Sequence, residues 1–162
     1  MATWQCDFHL VPRRELHEAG RPAPEAIAAT RARDTRWWRR CEPPPDLLAL
    51  AAAAAPAAPT WSERLHTFGR EDGHRIDVWA EGARTASVLV RFDLRQPDRR
   101  FLDAVVTLAR RADACLVRAD GLVVPADAAA LGAALATSAA ARFVVDPEAY
   151  LRRVRLGGSA DG

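Results

Sequence analysis

Polar and apolar residues alternate from Thr3 to Val11, with Trp4, Cys6, Phe8 and Leu10 on one side and Gln5, Asp7 and His9 on the other. Successive side chains of a strand point to opposite faces, so the pattern predicts a half-buried strand, ended by Pro12 and the charged Arg13-Arg14-Glu15. The sharpest alternation runs from Ser87 to Arg95: Val88, Val90, Phe92 and Leu94 share one face, and Leu89, Arg91, Asp93 and Arg95 the other. Before it, Leu65–Arg70 and His74–Ala80 read as strands joined at Asp72-Gly73, a hairpin signal, and Glu81-Gly82 turns the chain again. Three strands with short turns make an antiparallel meander. Cys115–Val117 and Leu122–Val124 flank Ala119-Asp120-Gly121 as a smaller hairpin.

Helical spacing takes over elsewhere. After Gln96-Pro97-Asp98, the residues Phe101, Val105, Leu108 and Ala112 form one stripe, and Leu102, Val106 and Ala109 widen it, so a sheet must cover a broad face. Asp127 caps an alanine-rich helix carrying Leu131, Leu135 and Ser138, and Asp146-Pro147-Glu148 opens a last helix with Tyr150, Leu151 and Val154. Arg21–Cys41 also reads as a helix, begun by Pro24 and Glu25 and filled by alanines. On it Trp37 and Trp38 lie about 100 degrees apart, which predicts one ring buried and the other partly exposed. The stretch 42–60, rich in proline and alanine, reads as a surface connection in which Asp46 caps a short helix running to about Ala55. The sum is an α+β fold: an antiparallel sheet, built of the meander, the N-terminal strand and the small hairpin, with helices on one face and a polar face opposite. The expected organisation is a single domain over 1–156 and a flexible tail over 157–162.

Composition removes some functional stories. All 23 basic residues are arginine, asparagine is absent, and isoleucine occurs only at Ile27 and Ile76. These are the marks of a GC-rich, bacterial coding sequence, so the arginines need not signal RNA binding. The net charge of +2 lacks the basic excess of a dedicated nucleic-acid domain. Three widely spaced cysteines, Cys6, Cys41 and Cys115, argue against a disulfide framework and for a reducing, cytoplasmic setting. Neither a secretory leader nor a membrane span is apparent: the longest apolar run, Leu47–Ala58, is interrupted by Pro56 and falls short of the roughly 20 residues a span needs.

Motifs for chemistry are few. Cys6-x-x-His9 would place its two side chains on opposite faces of a strand, so a shared metal is not expected, and Cys6 reads as a buried apolar thiol. No glycine-rich phosphate loop, nucleophile elbow or H-E-x-x-H is present, and no cofactor is implied. His66 and His74 flank the first hairpin turn. Asp7 and His9 share the polar face with Arg75, Asp77, Arg91, Asp93 and Arg95, which predicts a checkerboard of cross-strand ion pairs. The segment Arg36-Trp37-Trp38-Arg39-Arg40 is the most unusual; arginine beside tryptophan can stack on bases, clamp phosphate or meet a protein partner.

With Arg36, Trp37, Trp38, Arg39, Arg40, Arg91 and Asp93 as candidate binding residues, the expectation is a non-enzymatic module that binds a protein partner, such as an immunity-type inhibitor or an accessory protein. A small enzyme using Asp7, His9 and Asp93 is one alternative. A nucleic-acid-binding module using Arg31–Arg40 is the other.

Overall fold

The computed structural model describes residues 2–16, 24–32, 36–82 and 84–157. Among these, seven strands form one antiparallel sheet: β1 (Gln5–Pro12), β2 (Ala57–Ala58), β3 (Leu65–Gly69), β4 (Arg75–Glu81), β5 (Arg84–Asp93), β6 (Ala114–Arg118) and β7 (Val123–Val124). Their spatial order is β2-β3-β4-β5-β1-β6-β7, so the first strand is inserted between the meander and the small hairpin. The helices are α1 (Arg13–Leu16), α2 (Ala29–Ala32), α3 (Leu47–Ala54), α4 (Arg99–Arg111), α5 (Ala128–Ala136), α6 (Ala139–Val145) and α7 (Pro147–Gly157). The fold is α+β, as the alternation predicts. The expected tail, beyond Gly157, lies outside the described residues.

Register explains the core. Phe8 faces Val90 and Val90 faces Ile76, and all three are fully buried on the face that carries the helices. Against them lie Phe101, Val105 and Leu108 of α4 and Leu131 of α5, the stripes seen in the sequence. Asp98 starts α4 by accepting from the N–H groups of Arg100 and Phe101, and Asp127 does the same for α5 at Ala129 and Ala130. The alanine-rich helix breaks at Thr137, because Ser138 caps a new helix, α6, through the N–H of Ala141. No single helix among the described residues is long and apolar enough to cross a membrane. The α5–α6 pair reaches that length only together, across a 61° bend, and its Leu131, Ala134, Leu135 and Ala140 are buried in the core.

Two segments depart from the sequence reading. Arg21–Cys41 is not one helix. Its residues 21–23 and 33–35 lie outside the described set, but Glu25 and Ile27 bond as an extended chain: Val123 N–H donates to Glu25 O at 2.9 Å and Ile27 N–H to Gly121 O at 2.9 Å. Among its described residues only Ala29–Ala32 is helical, and Trp37–Arg40 forms a turn. Pairing with the sheet outweighs the high helix propensity of alanine, a local bias that tertiary contacts readily override. That approach requires Gly121, at φ +96°, because a Cβ there would stand 2.0 Å from Ile27 O. The stretch 42–60 is likewise more than a connection: α3 buries Leu47 and Ala51, and Ala57 and Ala58 pair with Phe68 and Thr67 as the edge strand.

Candidate functional site

The turn at Arg36-Trp37-Trp38-Arg39-Arg40 is anchored by its two rings. Beyond the last β1–β5 pair, His9 with Leu89, the segment spans the two strands: Trp38 N–H donates to Ala86 O at 3.1 Å and its indole N–H to Leu10 O at 2.8 Å. Trp37 and Trp38 are 5% and 1% exposed, so the expectation of one exposed ring is corrected. A turn, unlike a helix, lets adjacent side chains both go inward. Neither ring is available as a hot spot, whereas Arg36, Arg39 and Arg40 are exposed.

All three arginines line one hollow, and Arg36 also lines a second. One, of about 520 Å³, is lined by Glu15, Arg31, Arg36, Trp37, Arg39 and Arg40. The second, of about 470 Å³, opens on the polar sheet face and includes His9, Arg36, Arg64, Trp79, Glu81 and Ser87. Arg36 lines both. Arg39 grips Glu81 through two hydrogen bonds of 2.9 Å, and these, with the charges of Arg39, Arg36 and Arg64, hold the Glu81 carboxyl below the usual range.

The polar face is more buried than a solvated checkerboard. Arg91 donates to Asp7 across β5 and β1 at 3.0 and 3.2 Å, with the side chains only 18% and 12% exposed. Arg75 holds Asp77 at 2.8 Å, and Thr67 Oγ1 donates to the same carboxylate at 2.7 Å. Asp93 is 2% exposed and bound by Arg95 at 2.7 Å; burial opposes its ionisation, but the Arg95 guanidinium and N–H outweigh that and lower its pKa. Arg91 and Asp93 are thus committed to partners within the sheet. Asp7 is committed too, so the suspected acid–base set of Asp7, His9 and Asp93 does not form one site. His9 instead shares its hollow with Glu81, whose two oxygens face Arg39.

Cys6 and His9 lie on opposite faces, Cys6 opposite Phe92 and His9 opposite Leu89. No group of three His, Cys, Asp or Glu side chains suited to a metal occurs among the described residues. His74 turns away from the hairpin: its ring stacks on Phe101 at 4.7 Å, Nδ1 accepts from Asp93 N–H at 3.2 Å, and Nε2 lies 2.7 Å from Gln96 O. It stands at one end of an apolar groove of about 460 Å³ whose walls include Leu94, Leu102, Leu135, Val144 and Val145.

That groove and the helices beside it were not singled out in the sequence. Val145 is 85% exposed, Leu151 45% and Val154 54%. α7 leans chiefly on α6, through an edge contact of Tyr150 with Phe143 at 5.6 Å. The available signal was a short run of apolar residues, Phe143-Val144-Val145, with no second element spaced to cover it. Compared with known proteins, the chain matches no family model, no curated protein and no solved structure.

Proposed function

We propose that the protein is a non-enzymatic binding module, an inhibitor or accessory protein, that docks a protein partner on the apolar surface of α6 and α7. The observation that carries this reading is Val145, 85% exposed beside a groove of about 460 Å³, with Leu151 and Val154 continuing the apolar surface along α7. Contiguous apolar surface of this kind marks interaction sites, and a groove accepts the anchoring side chain of a partner. The commitment of Asp7, Asp77 and Asp93 to arginines also speaks for binding over acid–base chemistry. A reducing compartment is proposed with it, supported by the buried, unpaired Cys6, Cys41 and Cys115.

The test is capture from a lysate of the source organism, using the full chain, a Val145→Asp/Leu151→Asp variant and a Leu48→Asp control on α3. A partner retained by the wild type and the control but lost by the double variant supports the reading. The same partner retained equally by all three overturns it.

A second reading, a small hydrolytic enzyme, is favoured by one observation: Ser87, His9 and Glu81 line a single hollow. Labelling of Ser87 by a serine-directed phosphonate, abolished in His9→Ala, is its expected mark. An unlabelled Ser87 disposes of it.

A further inference from the structure

We infer that α7 is a self-association helix, pairing antiparallel with α7 of a second copy of the chain about a two-fold axis. The inference rests on the reading of α6 and α7 as a docking surface and names the occupant of its α7 part. Pro147, Tyr150, Leu151 and Val154 recur at i, i+3, i+4 and i+7, the spacing of a helix face that packs on another element. Among the described residues that face is little used. Tyr150 meets Phe143 edge-on at 5.6 Å, but Leu151 is 45% and Val154 54% exposed. Helices shorter than about 12–15 residues are marginal in water and depend on packing, and α7 has 11.

The order of charges along the helix says which occupant fits. Acidic groups stand at its start, Asp146 and Glu148, and basic ones further on, Arg152 and Arg153, all four exposed. That order suits the helix dipole. It also makes the surface complementary to itself. In an antiparallel pair the acidic start of each helix lies beside the basic part of the other, whereas a parallel pair sets like signs together. A strongly acidic or strongly basic partner would meet repulsion at one end or the other. Within the helix, Glu148 and Arg152 lie 3.5 Å apart and both are exposed, so they hold each other weakly and are free to turn toward a neighbour. A two-fold contact uses the same patch on both copies, so one stripe and one set of charged ends supply both halves. Two 11-residue helices, each about 16 Å long, cover a small area, which places the association at the weak, reversible end of specific interfaces.

Sedimentation equilibrium of the full chain, from about 10 μM to about 1 mM at low salt, where charge pairing is least screened, tests the inference. A reversible monomer–dimer equilibrium is expected. Leu151→Asp/Val154→Asp should weaken it by about tenfold or more, while Leu48→Asp, at an exposed apolar position on α3, should leave it unchanged. Neither α7 residue belongs to the core, so thermal melts of these variants should match the wild type. Glu148→Arg and Arg152→Glu/Arg153→Glu should each self-associate about threefold more weakly, and an equimolar mixture of the two should regain the lost affinity. Because those changes sit on different chains, the recovery reports contact between copies and not the pair within one helix. A wild type that stays monomeric at about 1 mM overturns the inference and leaves the docking surface to be judged by its capture experiment. A dimer that Leu151→Asp/Val154→Asp leaves intact also overturns it, as does a mixture that recovers nothing.

Discussion

The indole N–H of Trp38 donates to the carbonyl of Leu10 at 2.8 Å, in the buried region where β1 and β5 stop pairing. Strand carbonyls that lose their ladder partner need another, and here a side chain twenty-eight positions away supplies it. Trp38→Phe keeps most of the volume but leaves Leu10 O unpaired, which should cost about 1–3 kcal/mol. Trp38→Ala should cost about 3–5 kcal/mol. Urea titrations of both variants check the order; equal losses would show that the hydrogen bond contributes nothing beyond the packing.

Phe92 and Arg91 are neighbours on opposite faces of β5. Phe92 is 2% exposed and touches Phe8 and Phe101, so Phe92→Ala should cost about 3–5 kcal/mol. A solvated face would make Arg91→Ala almost free. The observed burial of Asp7 predicts about 1–3 kcal/mol instead, because its carboxylate loses both hydrogen bonds. Asp7→Asn/Arg91→Gln should recover part of that loss in a double-mutant cycle.

Asp93 carries a pH dependence with a definite sign. Its folded pKa is depressed, so its contribution is present above the unfolded carboxyl value, about 3.9, and is lost as pH falls through the lower folded value. Asp93→Asn should therefore destabilise the protein at neutral pH, with the gap to wild type closing only below about pH 4. A gap that closes between pH 6 and 8 would point to another group.

Thiol reactivity should follow burial. Burial pushes Cys6 from 9.0 up to about 11 despite the opposing Ser138 hydrogen bond, and burial also raises Cys41 and Cys115. Because the thiolate is the reacting species, native protein near pH 8 should titrate slowly and denatured protein should release three equivalents. Fast reaction of one native thiol would place that cysteine at a mobile or exposed position.

The sheet was legible because its residues announce themselves locally: the faces of Ser87–Asp93 and the caps at Asp98 and Asp127 depend on near neighbours alone. The path of 24–41 was not, because its partners are remote. Nothing between Pro24 and Cys41 reveals that Glu25 and Ile27 will bond to Val123 and Gly121. The Arg36–Arg40 segment was recognisable as odd, but which of its side chains face solvent depended on its being a turn. Arg91 and Asp93 were placed on the right face, and their burial was missed because it comes from what lies beside them on adjacent strands.

Many of the ion pairs join near neighbours in the chain: Arg70 with Asp72, Arg75 with Asp77, Arg95 with Asp93 and Arg118 with Asp120 are two apart, and Arg99 with Asp103 four. Partners so close remain within reach of each other when the chain is unfolded, so their attraction is largely common to both states and cancels from the difference between them. Arg91 and Asp7, 84 positions apart, have no such memory in the unfolded chain, and because they join β5 to β1 directly their energy bears on which strands meet. A chain whose charges are neutralised in place offers distant segments little electrostatic reward for pairing wrongly. The arginine-rich composition can thus rise without multiplying the misfolded alternatives, and the choice of fold is left to the apolar faces of the strands.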